Sequence, residues 1–131
     1  MARIAVTDGM SDEAVKMLEN EGHDVVLRHF DPVEISSGSL AEFDAVVIRS
    51  ATKLPAEQIY ASVNQSGGIR FIGRAGVGVD NIDIEAATKN GIIVCNTPGA
   101  STRSVVEITI GHLIASTRNI VTADRTLRDG E

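Results

Sequence analysis

One stretch constrains this chain more than any other: residues 69–83, reading I-R-F-I-G-R-A-G-V-G-V-D-N-I-D. An apolar run, 69–72, meets a glycine-rich turn, 73–78, and a polar start, Asp80, Asn81, Ile82 and Asp83, then opens a helix. A strand that empties into a glycine loop brings bare backbone N–H groups to the edge of a sheet. With no Cβ to block approach, such a loop binds an anion readily. Arg74, read as part of that loop, adds a fixed positive charge.

The remaining pattern supplies a sheet for this loop. Apolar runs at 4–7, 25–27, 45–48, 69–72 and 92–95 read as five short strands. Helical spacing separates them. Residues 11–20 carry Ala14, Val15 and Leu18 on one side, with Met17 beside them and Asp12 and Glu13 in the first turn. Gly22 ends that helix. Pro32 and the Ser/Gly residues at 36–39 mark a loop with one turn of helix. Pro55 opens a helix with Ile59 and Val63 on its buried side, ended by Gly67 and Gly68. Ile82, Ala86 and Ala87 face the core from a short helix that stops at Asn90 and Gly91. Ser104 and Glu107 have capping-box spacing ahead of an apolar run at 105–115, and a weaker polar helix spans 120–127 before the end at Asp129, Gly130 and Glu131. Strands alternating with helices give an α/β fold: a doubly wound, flavodoxin-like parallel sheet of five strands, followed by an extra C-terminal helix. The all-apolar third strand is expected to be covered on both faces.

Ligands in such sheets sit outside the C-terminal strand ends. Four of those ends carry polar or glycine clusters: Thr7, Asp8 and Gly9; Arg49, Ser50, Ala51 and Thr52; residues 74–78; and Asn96, Thr97 and Pro98. Arg49 and Arg74 on one rim suit a carboxylate or phosphate. A surface ion pair is the plainer role for either arginine alone. Ser50 and Thr52 read as turn residues or ligand contacts. A pyrophosphate cradle fails at Gly76-Val77-Gly78, because the third glycine position is Asn81 and no strand with an acidic end follows at the required distance. Asp8 resembles the acid of a phosphoacceptor domain, but Arg49 stands where that chemistry needs a second aspartate. One tyrosine, three phenylalanines and no tryptophan leave little to stack on a flavin. His23 reads as solvated, His112 as a packed or interface residue, and Cys95 as a small core residue. No metal spacing and no base–nucleophile pair are visible, so no residue is assigned a catalytic or metal-binding role.

Composition narrows the partners. Twelve lysines and arginines against eighteen acids give a net charge of -6, which argues against nucleic acid or an anionic membrane. A single cysteine fits a reducing compartment. The first residues run straight into a strand, with no leader and no membrane-spanning run, so a cytoplasmic protein is expected.

Four stretches carry a resemblance. They are I-R-S-A-T-K at 48–53, G-R-A-G-V-G-V-D-N-I-D at 73–83 with Glu85, Ala86 and Ala87, residues 91–98, and Ser104 to Glu107. Their order and content resemble the N-terminal part of the NAD-dependent D-2-hydroxyacid dehydrogenase family, most closely its phosphoglycerate dehydrogenase branch. Val106 departs conservatively from the family's alanine. The resemblance implies a two-domain oxidoreductase using NAD on a small anionic 2-hydroxy acid, 3-phospho-D-glycerate, in serine synthesis. It implies a substrate domain at 1–99, then a hinge and the first helix of a nucleotide domain at 100–131. The loop at Gly76, Val77 and Gly78 would bind the substrate carboxylate through N–H groups, with Val77 also touching the cofactor. Arg49 and Arg74 would meet anionic substrate groups. The helix at 105–115 would pack across a homo-oligomer. The family's nucleotide fingerprint and catalytic arginine, glutamate and histidine fall outside these 131 residues. The sequence is therefore expected to be a fragment or separately made domain, inactive alone. The competing expectation is a stand-alone interaction module that pairs with another dehydrogenase chain.

Overall fold

The computed structural model describes residues 1–64 and 67–130, so Glu131 lies outside the described residues. Five parallel strands form the main sheet: β1 (Arg3–Val6), β2 (Asp24–Leu27), β3 (Ala45–Ile48), β6 (Phe71–Arg74) and β7 (Ile93–Asn96). Their spatial order is β2-β1-β3-β6-β7, the doubly wound flavodoxin-like order. A small antiparallel hairpin, β4 (Val63–Asn64) and β5 (Gly67–Gly68), stands apart from it. Val63 was expected on a helix but belongs to this hairpin, because the preceding helix ends at Ala61.

Local chemistry sets the helices. α1 (Asp12–Asn20) starts where the Ser11 hydroxyl accepts from Ala14 N–H, and Gly22 at φ +82° turns the chain away after it. α2 (Pro32–Ser36) begins with a full capping box: Asp31 accepts from Val33 and Glu34 N–H, and Glu34 accepts from Asp31 N–H. A 3-10 turn at Ser39–Glu42 follows. Pro55 is the N-cap of α3 (Ala56–Ala61), and Asp83 caps α4 (Ile84–Lys89) by accepting from Ala86 N–H. α5 (Thr102–Thr117) and α6 (Ile120–Asp129) complete the chain. The expected capping box at Ser104 is not formed. α5 begins two residues earlier, which leaves Ser104 inside the helix, and Glu107 pairs with Arg103 at 2.9 Å.

The chain divides into two compact units, Met1–Pro98 and Gly99–Glu131. The core lies in the first. Ala5, Val46, Ile48 and Ile72 share one sheet face and pack with Phe30, Ile35, Leu40, Ile59, Ala86 and Ala87. The opposite face is covered only in part. Ile4 and Val6 are buried there, but Ala45 and Val47 are half-buried, and the cross-strand partners Phe71 and Ile93 are 37% and 62% exposed. The third strand is therefore fully covered on one side and only partly on the other. Cys95, expected in the core, is exposed for the same reason: it shares this uncovered face with Ile93. His23, expected in solvent, is half-buried, with Nδ1 enclosed and without a hydrogen-bond partner.

Candidate functional site

The C-terminal ends of β1, β3 and β6 lie side by side, because β3 pairs with both of the others. The segment after β3, residues 49–52, is held from two directions. From the end of β1, Asp8 Oδ2 accepts from Arg49 N–H at 2.7 Å and Thr52 N–H at 3.0 Å. Its Oδ1 accepts from the Thr52 hydroxyl at 2.6 Å. The Thr7 hydroxyl lies 2.7 Å from that of Thr52 and 3.3 Å from Asp8 Oδ1. From the far side, Asn81 Nδ2 donates to Arg49 C=O at 2.8 Å and Thr52 C=O at 2.7 Å. Burial is the largest single influence on the Asp8 carboxyl and disfavours its charge. The hydrogen bonds from the Thr52 hydroxyl, Thr52 N–H, Arg49 N–H and Thr7 together outweigh it, and hold the group below its ordinary value of 3.8.

Arg74 is the last residue of β6, in register with Ile48, rather than part of the loop. The strand starts at Phe71, two residues later than expected, because Ile69 follows the hairpin and donates its N–H to Ser62 C=O. Arg74 folds back over the glycine turn: a Cβ on Gly76 would overlap its Nη1. Its Nε is enclosed and has no hydrogen-bond partner. Among the described residues, neither Arg49 nor Arg74 has a carboxylate within ion-pairing distance. The glycine turn is pinned by the end of β7 and the residue that follows it. Thr97 N–H donates to Gly76 C=O at 2.9 Å, and Asn96 Nδ2 to Val77 C=O at 2.7 Å. Gly76 N–H is spent on Arg74 C=O at 2.8 Å. Those of Val77 and Gly78 meet no acceptor among the described residues. An open depression of about 470 Å³, lined by Gly9, Met10, Ser11, Arg49 and Ala75, lies along this rim.

The structure thus brings Arg49, Ser50, Arg74, Gly76, Val77 and Gly78 to neighbouring strand ends, with Arg49, Ser50 and Val77 exposed. Thr52 does not face outward. It is 4% exposed and its hydroxyl is committed to Asp8, so it supports the rim from below. Sequence reasoning counts Asp8 among the polar strand ends and Asn81 in the polar helix start, but gives neither a role at the site: Asp8 is weighed only against a phosphoacceptor, and Asn81 against the third glycine of a nucleotide loop. The strand order was the available signal, since it places the end of β1 directly beside the end of β3. Among the described residues no cluster of His, Cys, Asp and Glu is suited to a metal ion, and no helix is long and apolar enough to cross a membrane.

The family described as D-isomer specific 2-hydroxyacid dehydrogenase, catalytic domain, matches residues 4–125. A D-3-phosphoglycerate dehydrogenase of Methanocaldococcus jannaschii is 43% identical over 131 residues, covering 100% of this chain and 24% of the relative. A hydroxypyruvate reductase of Thermotoga maritima is 40% identical, covering 98% of this chain and 41% of the relative. The crystal structure of NAD+-bound 3-phosphoglycerate dehydrogenase from Entamoeba histolytica superposes with a TM-score of 0.71 at 34% identity, over 87% of this chain and 38% of that one. The chain therefore spans about a quarter of the length of the archaeal dehydrogenase it matches. The match from Ile4 to Arg125 takes in all of the sheet but Arg3, with the arginine-bearing strand ends and the glycine turn, and by it this chain belongs to the D-isomer specific 2-hydroxyacid dehydrogenase family.

Proposed function

We propose that residues 1–99 are the substrate-binding part of a D-3-phosphoglycerate dehydrogenase, the enzyme that oxidises 3-phospho-D-glycerate with NAD. In this reading residues 100–131 supply the hinge and the first helix of a nucleotide-binding unit. The observation that carries it is a pair of guanidinium groups, Arg49 and Arg74, without carboxylate partners at adjacent strand ends, beside the open N–H groups of Val77 and Gly78. An unpaired arginine on an acidic protein invites an anion, and bare amides in a turn complete a carboxylate cradle. Ser50, exposed between the clamped peptides, is a further contact. Thr52 acts through Asp8 rather than by touching the acid.

NAD would meet this chain at Val77, which is 48% exposed at the turn. The sequence contains no G-x-G-x-x-G, so these residues do not hold the dinucleotide by themselves. A cytoplasmic, reducing setting accords with the exposed free thiol of Cys95. Titration of the chain with 3-phospho-D-glycerate, followed through amide resonances, tests the reading. Shifts at Arg49, Val77 and Gly78 are expected, and their absence overturns it. D-glycerate and hydroxypyruvate, run beside it, separate a phosphoglycerate site from the reductase type found in the Thermotoga relative.

A second reading has its own observation. In α5, Val105, Val106, Ile108, Ile110, Leu113 and Ile114 are all exposed. Such a helix seeks a partner, either a second copy of this chain or another dehydrogenase chain. Sedimentation equilibrium should show a dimer or larger species. A monomer at high concentration removes this reading and leaves the first intact.

A further inference from the structure

We infer that Asp8 and Asn81 are positioning residues for the anionic substrate: together they clamp the backbone of residues 49–52, so that the segment carrying Arg49 is held on the rim without having to be ordered on binding. The inference rests on the substrate reading above, and it adds two residues that never touch the ligand.

The geometry is reciprocal. A tetrapeptide on a sheet rim has N–H and C=O groups that water would otherwise take. Here the N–H groups of its two end residues, Arg49 and Thr52, go to one side chain, Asp8. The C=O groups of the same two residues go to another, Asn81. Both peptide ends are closed, and Ser50 and Ala51 are left to project. The orientation of the Asn81 amide is fixed by this arrangement. Its Nδ2 spends both protons on the two carbonyls, while Oδ1 is enclosed and unpartnered, so a flipped amide would set an oxygen against two carbonyl oxygens.

Asn81 also couples two parts of the rim. It lies three residues beyond Gly78, and its own backbone joins the same strap: Leu54 N–H donates to Asn81 C=O at 2.8 Å, and Asp83 N–H to Leu54 C=O at 2.9 Å. Leu54 and Ile82 thereby form a parallel bridge. The segment bearing Arg49 and the turn bearing the open amides are thus fastened to each other, and Asp8 fastens the pair to the end of β1. A cation carried on a segment already in place binds an anion without the backbone ordering loss that a free loop incurs.

Asp8 sets a constraint of its own. Its negative charge lies beside a site proposed for an anion, which is tolerable only because four donors converge on it. An asparagine there keeps the clamp. Its carbonyl oxygen accepts from both N–H groups, and its amide donates to the Thr52 hydroxyl, which in turn accepts or donates as needed. An alanine removes the clamp. The two substitutions therefore separate position from charge.

The test measures 3-phospho-D-glycerate affinity from the Val77 and Gly78 amide shifts, with thermal midpoints alongside, for wild type, Asp8→Asn, Asp8→Ala and Asn81→Ser. Asp8→Asn should bind within about threefold of wild type or more tightly, whereas Asp8→Ala and Asn81→Ser should each lose about tenfold or more while folded. A merely structural role lowers the midpoint and leaves affinity unchanged, and that result overturns the inference. So does Asp8→Asn losing as much as Asp8→Ala. Should Asp8→Ala not fold, Asn81→Ser and the wild-type chain decide. In wild type the amides of 49–52 should have order parameters near the rigid value of about 0.85, and values below about 0.6 overturn the clamp. A wild type that shows no shift at Val77 and Gly78 overturns the substrate reading and this role together. A wild type and Asn81→Ser that bind equally well overturn this role alone.

Discussion

Ile72 and Ile108 carry the same side chain and meet opposite fates. Ile72, on β6, is 0% exposed, whereas Ile108, on α5, is 56% exposed. The difference does not come from local apolar content, since both lie in stretches rich in apolar residues. Ile72 has layers: its neighbours in the sheet, and the residues Ile35, Ile59, Ala86 and Ala87 that three helices bring to the same core. α5 is apolar around much of its circumference, so no single side could be assigned to a core, and none of its residues is buried. Burial here follows from stacking of elements, and the contact of α5 with α6 leaves its apolar residues exposed to whatever partner they meet.

Truncation should show this contrast at its largest. Ile72→Ala removes buried methylenes and leaves a cavity, at a cost of about 2–5 kcal/mol. Ile108→Ala, at an exposed position, should change the stability of the monomer by less than about 0.5 kcal/mol. Urea melts of both variants, run at low protein concentration, measure the gap. Comparable losses would break the comparison and place Ile108 in an interface. A concentration-dependent loss at Ile108 alone would sharpen it, because the partner would then be a second copy. Asp8 adds a pH-dependent component to the first region. Its folded-state pKa lies below 3.8, so its contribution is fully present above that value and fades as pH falls through the lower folded-state value. Asp8→Asn should flatten the acid limb of a melting-temperature profile, and an unchanged limb would assign acid sensitivity elsewhere.

Within the first unit, rim and core should also part company. A Cβ on Gly76 would meet only the far end of the Arg74 side chain, which can swing aside, so Gly76→Ala should cost less than about 1 kcal/mol of stability. The displaced guanidinium should nevertheless weaken anion binding about tenfold, the worth of one charge-assisted contact of about 1.4 kcal/mol. Calorimetric titration beside a thermal melt reads both quantities. A large stability loss with affinity retained would mean that Gly76 serves the turn and not the arginine.

The same contrast explains what could be read in advance. Five strands, their parallel order and the helices between them were visible because apolar runs and turn residues are local signals. The arginines and the glycine turn were visible because each follows such a run. Legibility failed where the answer depends on a neighbour distant in sequence. Thr52 looks like a ligand contact until Asp8, 44 residues away, takes its hydroxyl and N–H. Asn81 looks like a broken fingerprint until the carbonyls 29 and 32 residues before it are found at its amide. Cys95 looks like core until the sheet face it occupies proves uncovered. The first two depend on β3 lying between β1 and β6, and the third on the open face of β7 at the sheet edge, and no window of sequence contains either.

Helix starts give the finest version of this comparison, and the smallest expected effects. Ser104-Val105-Val106-Glu107 has the letter pattern of a capping box, and Asp31-Pro32-Val33-Glu34 has it too. Only the second is one. Asp31 Oδ1 accepts from Val33 and Glu34 N–H at 2.8 and 2.9 Å, and Glu34 Oε2 accepts from Asp31 N–H at 3.1 Å. The proline at the first helical position gives up an N–H that would be orphaned in any case. Ser104 is the third residue of α5, past the point where a cap could act, and Glu107 is drawn to Arg103 one turn earlier. Asp31→Ala should therefore cost about 1 kcal/mol, since two donors lose their acceptor. Ser104→Ala should be neutral or gain up to about 0.5 kcal/mol, because alanine is the better residue inside a helix. Chemical denaturation of the two variants under one condition is sufficient. A Ser104→Ala loss as large as that of Asp31→Ala would mean that α5 begins at Ser104 in solution, and that residues 102 and 103 belong to the connection from Pro98 rather than to the helix.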